Sequence, residues 1–133
     1  MLTADLINLN IPRLQLQDSV GKARQLVNDF KLTHLPIVSD NTFLGLISEE
    51  DLLDIDDERV TMEMIQEHFQ KIAVPHDVHF LNAVNCCNQY DTNVVPVLGK
   101  QNEFLGVVTT SDLLKTMGNF AGADEIGGIV ILE

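Results

Sequence analysis

The stretch "GLISEEDLL", from Gly45 to Leu53, has a near copy in "GVVTTSDLL", from Gly106 to Leu114. Each is an apolar run that begins with glycine, followed by a hydroxyl residue, two variable positions, an aspartate and two leucines. Internal repetition of this kind determines the whole architecture of a chain. A phrase that occurs twice in 133 residues indicates that one structural unit is duplicated.

The similarity extends well beyond the phrase itself. "HLPIVSDNTFLGLISEEDLL" aligns with "VVPVLGKQNEFLGVVTTSDLL", so that Pro36 lies opposite Pro96, with one extra residue in the second turn. Upstream, apolar residues recur in both copies at the spacing of a helix with one buried face. These residues are Val20, Ala23, Leu26, Val27 and Phe30 in the first copy, and Phe80, Ala83, Cys86, Cys87 and Tyr90 in the second. Asp18 and Ser19 are suited to cap the first of these helices.

Each copy predicts the same order of elements. A short opening helix precedes a short strand ("RLQL" or "KIAV"), an amphipathic helix, two strands joined by a polar turn of about four or five residues, and a last helix that begins at Ser48 or Thr109. The predicted fold class is mixed α/β (α+β), with two pseudo-symmetric β-α-β-β-α repeats at residues 1–58 and 59–118. A repeat of roughly 60 residues is marginal for a core of its own, so we expect the two repeats to pack together.

The tandem pattern resembles a pair of cystathionine-β-synthase (CBS) domains, also called a Bateman module, over roughly residues 1–118. CBS pairs commonly bind AMP, ADP, ATP or S-adenosylmethionine in clefts between the two copies, and they tend to form flat dimers. The resemblance therefore implies a homodimeric regulatory sensor of an adenosine-containing ligand that requires no cofactor. No catalytic motif stands out in the sequence, which favours a binding module over an enzyme.

The repeated phrase supplies the candidate binding residues. A hydroxyl residue followed three positions later by an acid is close to a helix capping box, a role that needs no ligand. The same helix start can also receive a phosphate group. The resemblance implies that Asp51 and Asp112 hold ribose, that Ser48 and Thr109 face phosphate, and that Thr33, His34, Asn93 and Val94 line the base or phosphate pocket. The alternative is a ligand-free dimerisation module in which the hydroxyl residues serve only as caps.

The two candidate sites differ in charge. Glu49 and Glu50 follow the hydroxyl residue in the first copy, where they would oppose a phosphate. The second copy has the neutral donors Thr110 and Ser111 there, with Lys115 one turn later. We therefore expect the second copy to carry the functional site. Because basic residues are few and scattered along the chain, a ligand of low charge is favoured over ATP.

The net charge of −12, from 20 acidic and 8 basic residues, argues against nucleic acid or an anionic membrane as partner. Seven of the ten residues at 49–58 are acidic, which is typical of a solvated connection and matches no calcium loop. No apolar run approaches the ~20 residues of a membrane helix, and the start of the chain lacks the features of a signal peptide. With only two cysteines, adjacent in sequence, a cytoplasmic location is expected.

Cys86 and Cys87 fall on the buried face of a predicted helix, so we expect them to be core residues. His76 and His79 lack further ligands at a suitable spacing for zinc, so no metal site is predicted.

Residues 119–133 end in "GGIVILE", which resembles the first strand of a third domain and is compatible with an ACT domain. Pairing of this run with a second subunit is the alternative, and a role in regulating acetyl or amino-acid metabolism would depend on the additional domain.

Overall fold

The computed structural model describes residues 1–118. Its α-helices in this range are α1 (Val20–Phe30), α2 (Glu49–Leu53), α3 (Leu81–Tyr90) and α4 (Thr110–Gly118). Its strands are β1 (His34–Ser39), β2 (Thr42–Ser48), β3 (Val74–Pro75), β4 (Val94–Leu98) and β5 (Phe104–Thr109). Two short 3-10 helices, Thr3–Leu6 and Met62–His68, open the two repeats. The predicted mixed α/β class and the duplication are both confirmed.

Each repeat contains one antiparallel hairpin, β1–β2 or β4–β5. The first hairpin turns through Asp40 and Asn41, whose φ angles are 47° and 68°. Two central residues with positive φ make the tight turn that matches the twist of the flanking strands, and Asp and Asn tolerate this conformation. The predicted turn of four or five residues is therefore wrong for the first repeat, whereas the second hairpin is joined by residues 99–103.

The glycine that begins each repeated phrase lies at an irregularity in the hairpin. The strand register shifts immediately after the pairs Ile37–Gly45 and Val97–Gly106, and both glycines have φ +146°. A Cβ on Gly45 would lie 2.8 Å from Cβ of Phe69. Both the backbone conformation and the close approach of a neighbouring segment therefore require glycine.

The opening segment of each repeat packs on the hairpin of the other repeat. The backbone amide of Asn8 donates to the carbonyl of Val107 at 2.8 Å, and the amide of Gln70 donates to the carbonyl of Leu46 at 2.8 Å. Each hairpin therefore has a segment of the other repeat along its edge. In consequence, each repeat contributes side chains to the cleft of its neighbour.

The predicted strand "RLQL" is reduced to one bridge, between Leu14 and Ile37. The chain turns away directly afterwards, because the carboxylate of Asp18 accepts from the amide of Gln15 at 2.8 Å and its own amide donates back to the carbonyl of Gln15 at 3.1 Å. The opening helices are also 3-10 rather than α-helical. The predicted "KIAV" strand is present only as β3, paired in parallel with β4.

Among residues 1–118, one hydrophobic core includes residues of both repeats. Phe43 and Phe104 stack across the two hairpins with their ring centroids 6.4 Å apart. Cys86 and Cys87 are free and only 7% and 8% exposed, which confirms the prediction that they are core residues. The predicted packing of the two halves around a common interior is confirmed.

Within residues 1–118, no helix combines the length and the hydropathy that a membrane crossing requires. The predicted start of a third domain, residues 119–133, lies outside the described residues.

Candidate functional site

The hydroxyl residues of the repeated phrase cap the helices that follow them. Oγ of Ser48 accepts from the amide of Asp51 at 3.1 Å, and Oγ1 of Thr109 accepts from the amide of Asp112 at 3.1 Å. The predicted capping role is therefore confirmed in both copies. The helices differ in length, since α2 has 5 residues and α4 has 9.

The first of two comparable clefts lies beside α2 and is called here the Asp51 cleft. It has a volume of about 380 Å³. Its lining residues are Thr33, His34, Ser48, Glu49, Glu50, Asp51, Gln70, Tyr90 and Asp91. The four site residues predicted for the first copy are thus brought together in one cavity.

The second cleft, called here the Asp112 cleft, lies beside α4 and has a volume of about 620 Å³. Both volumes fall within the roughly 300–1,000 Å³ of small-molecule sites. The residues that line this cleft are Asn8, Ile11, Phe30, Lys31, Leu32, Asn93, Thr109, Thr110, Ser111, Asp112 and Lys115. Three of the four residues predicted for the second copy are among them.

Val94 is the predicted site residue that the structure does not bring to the cleft. It is 0% exposed in β4, and among the described residues it does not line the Asp112 cleft. Its counterpart in the first repeat, His34, is 7% exposed and lines the Asp51 cleft. The side chain of Val94 is therefore left out of the candidate site.

The charges of the two clefts are opposite in character. The Asp51 cleft has four carboxylates and, among its described lining residues, no lysine or arginine. The Asp112 cleft has one carboxylate and two cations, Lys31 and Lys115. The acidic segment predicted to be a solvated connection thus contributes Glu49, Glu50 and Asp51 to a cleft. Within residues 1–118, no group of three or more His, Cys, Asp or Glu side chains is arranged to hold a metal ion.

His34 is a buried residue that lines the Asp51 cleft. Its Nδ1 is 2.8 Å from Oγ1 of Thr33. Burial lowers the pKa of His34 below its usual value, and this effect outweighs the opposing influence of Asp91, Asp51 and Glu50. His34 is therefore neutral at pH 7 and does not offset the four carboxylates around it.

The carboxylate of Asp112 is held by two donors. Its Oδ2 accepts from Oγ1 of Thr109 at 2.9 Å and from Nδ2 of Asn8 at 3.0 Å. Among the hydrogen bonds within residues 1–118, none reaches Oδ1. Asp51 differs, because its Oδ1 lies 3.8 Å from Nδ1 of His68.

Behind the Asp112 cleft, Oγ1 of Thr110 donates to Sγ of Cys87 at 3.7 Å. Burial, with a smaller contribution from Cys87, raises the pKa of the Cys86 thiol to about 11. Burial also raises the pKa of Cys87. Since the thiolate is the reactive form, these thiols are protonated and unreactive at neutral pH.

Sequence reasoning missed Asn8, Phe30 and Lys31 as residues of the second copy's cleft. All three belong to the first repeat along the chain. The opening segment, which packs on the other repeat's hairpin, brings Asn8 to the second cleft. Phe30 and Lys31 end α1 and reach it where the two repeats meet, since the carbonyl of Lys31 accepts from Nδ2 of Asn93 at 2.9 Å. For Lys31 the sequence did contain a signal, because this residue lies only two positions before the predicted site residue Thr33, the counterpart of Asn93. The scattered basic residues are therefore partly gathered by the fold, with Lys31 and Lys115 in one cleft.

Comparison with known proteins agrees with this architecture. The chain is similar to a CBS domain pair/ACT domain protein from Thermotoga maritima, with a TM-score of 0.79 at 15% identity over 92% of this chain and 100% of the other. It is also similar to CBSX2, solved in complex with AMP, with a TM-score of 0.70 at 19% identity over 86% of this chain and 94% of the other. At these identities the likeness concerns the fold.

A curated relative is the inosine-5'-monophosphate dehydrogenase of Korarchaeum cryptofilum, 24% identical over 112 residues. The match includes 84% of this chain but only 23% of that enzyme, so this chain spans less than a quarter of its relative. The sequence model of the CBS domain family matches this chain twice, at residues 4–58 and 69–119. The duplicated phrase, the two clefts and this double match together establish that the chain belongs to the CBS domain family.

Proposed function

We propose that this chain is a regulatory module that binds an adenosine-containing ligand of low charge, of the AMP type, in the Asp112 cleft. The observation that carries the proposal is the presence of Lys31, Lys115 and Asp112 in one cavity of about 620 Å³ beside the neutral start of α4. Two cations and a helix N-terminus suit a phosphate, and a carboxylate suits ribose hydroxyls. CBSX2, which has the same fold, was solved with AMP.

The remaining lining residues suit the base. Phe30 is 45% exposed in the cleft wall, and Ile11 and Leu32 add apolar surface beside it. Stacking of a base on an aromatic ring contributes on the order of 1–3 kcal/mol. Thr110, Ser111 and Asn93 provide neutral polar groups for the edges of the base and the phosphate.

The Asp51 cleft is disfavoured for the same ligand. Its four carboxylates oppose a phosphate anion, and α2, which is only 5 residues long, is acidic throughout its first turn. We therefore propose one AMP site per chain.

Ligand binding has a regulatory effect if the two repeats, or two chains of a dimer, exist in more than one arrangement relative to each other. A ligand shifts such an equilibrium only by the difference in its affinity for the two states. The proposed role is therefore that of a sensor whose output is a change of arrangement, without chemistry on the ligand.

Calorimetric titration with AMP tests the proposal. The variant Asp112→Asn, which keeps the shape but removes the charge of the carboxylate, is expected to weaken AMP binding at least tenfold. The matched variant Asp51→Asn, at the same position of the other repeat, is expected to leave the affinity within about twofold. Equal effects of the two variants, or no binding by the unmodified protein at millimolar AMP, would contradict the proposal.

A second role, dimerisation, is favoured by two exposed leucines at equivalent positions of α2 and α4. Leu53 is 63% exposed and Leu114 is 54% exposed. We propose that they contact a second copy of the chain, which would give the homodimer expected of this family. Light scattering on the double variant Leu53→Glu/Leu114→Glu should give the monomer mass, whereas the control Asn88→Glu on exposed α3 surface should keep the dimer. A dimer in the double variant would place the interface elsewhere.

A further inference from the structure

Asn8 is fixed at both ends of its side-chain amide. Its Oδ1 accepts from the backbone amide of Asn10 at 2.9 Å, and its Nδ2 donates to Oδ2 of Asp112 at 3.0 Å. Because a backbone amide only donates, the oxygen of Asn8 must face Asn10 and its NH₂ group must face Asp112. The residue's own backbone amide is anchored on the carbonyl of Val107.

This arrangement determines which part of the Asp112 carboxylate is available to a ligand. Oδ2 already accepts two hydrogen bonds, from Asn8 and Thr109. The remaining acceptor capacity is therefore concentrated on Oδ1, in one fixed orientation. A fixed carboxylate oxygen discriminates between neighbouring hydroxyl groups, whereas a carboxylate that rotates can follow whichever hydroxyl is present.

The Asp51 cleft lacks this arrangement. Gln70 occupies the position of Asn8, since it pairs with Leu46 as Asn8 pairs with Val107. Within residues 1–118, no hydrogen bond joins its side chain to Asp51, whose Oδ1 lies 3.8 Å from Nδ1 of His68. The two clefts therefore differ in the support of their carboxylates as well as in charge.

We infer that Asn8, contributed by the opening segment of the first repeat, is a positioning residue that fixes Asp112 and thereby makes the Asp112 cleft selective for ribose over 2′-deoxyribose ligands. The inference rests on the proposed function. The selectivity depends on the donor group of Asn8, because Oδ1 of the same side chain is used only to hold the local turn.

The variant Asn8→Asp removes the donor group that contacts Asp112 but keeps the acceptor that holds the turn at Asn10. An aspartate keeps an oxygen that accepts from the amide of Asn10, but it presents a second carboxylate oxygen to Oδ2 of Asp112. Two carboxylates in this position repel each other, and Asp112 loses its fixed orientation. Asn8→Ala removes both functions, and Gln70→Ala is the matched control in the other cleft.

The measurement is the ratio of the dissociation constants for 2′-deoxy-AMP and AMP, obtained by calorimetry for the unmodified protein and the three variants. A general loss of protein stability weakens the binding of both ligands alike and leaves the ratio of their dissociation constants unchanged. We expect a ratio of at least about ten in the unmodified protein and in Gln70→Ala, and a ratio below about three in Asn8→Asp and Asn8→Ala.

An unchanged ratio in both Asn8 variants, even with weaker AMP binding, overturns the inference and leaves the proposed function intact. A ratio near one in the unmodified protein does the same. If the unmodified protein binds neither ligand, the proposed function is overturned and the role of Asn8 in selectivity is overturned with it.

Discussion

Thr33 and Asn93 occupy the same position in the two repeats and exchange hydrogen bonds with each other. The amide of Asn93 donates to Oγ1 of Thr33 at 2.9 Å, and the amide of Thr33 donates to Oδ1 of Asn93 at 2.9 Å. The carbonyl of each then accepts from the first amide of the adjoining helix, Glu49 for α2 and Thr110 for α4. The starts of the two cleft helices are therefore joined by one continuous chain of hydrogen bonds.

Replacement of Asn93 by alanine is expected to destabilise the interface between the repeats. It removes Oδ1, which accepts from the partly buried amide of Thr33, and Nδ2, which donates to the exposed carbonyl of Lys31. The amide of Thr33 therefore loses this acceptor. The expected loss is about 1–3 kcal/mol in the free energy of unfolding, measured by urea titration. Asn88→Ala, on the exposed surface of α3, should change it by less than about 0.5 kcal/mol. Equal values for the two variants would show that the exchange contributes nothing.

The glycines of the repeated phrase are predicted to tolerate no side chain. Gly106→Ala would put a Cβ 2.5 Å from Cγ2 of Ile7 at φ +146°, and Gly45→Ala meets the same constraint at Phe69. Strain of this kind costs of order 1–3 kcal/mol before the steric clash is added, so both variants should melt several degrees lower. Gly118→Ala has nothing within 4 Å of the new Cβ and should melt at or above the original temperature. An unchanged melting temperature for Gly106→Ala would contradict the prediction that this position requires glycine.

These glycines also indicate what the sequence could and could not reveal. Their place in a duplicated phrase was sufficient to predict the two hairpins, the caps at Ser48 and Thr109, and the buried helix faces, because all of these depend on neighbouring residues. The sequence did not indicate which opening segment covers which hairpin. Asn8 lies far from Asp112 along the chain, and its contact depends on the exchange of segments between repeats. The contact between Asn8 and Asp112 could therefore be identified only from the three-dimensional structure.

The pH dependence of stability should reflect the buried His34. Its pKa is lowered in the folded protein by burial, so its contribution is fully present above the ordinary histidine pKa of about 6.5 and is lost as the pH falls through the lower folded value. The free energy of unfolding is therefore expected to decrease below pH 6.5.

His34→Val, which installs the residue type of Val94 from the equivalent position of the second repeat, should reduce this decrease. The replacement also removes the contact to Thr33, so the diagnostic quantity is the difference between pH 7 and pH 5 within each variant, measured by urea titration. His79→Gln, at an exposed histidine, should retain the original difference. If His34→Val and the unmodified protein lose the same free energy between these pH values, another group is responsible.

The difference in charge between the two clefts predicts that a second AMP site can be created in the Asp51 cleft. A triple variant replaces Glu49, Glu50 and Asp91 by threonine, serine and lysine, the residue types at the equivalent positions of the Asp112 cleft. With three carboxylates removed and one cation added, the Asp51 cleft should accept a phosphate, and AMP should bind with a calorimetric stoichiometry of two per chain instead of one. Addition of Asp112→Asn to the triple variant should return the stoichiometry to one, because only the new site remains strong. A stoichiometry of one in the triple variant itself would mean that charge is not what separates the two clefts, and that the unsupported carboxylate of Asp51 or the shorter α2 limits binding instead.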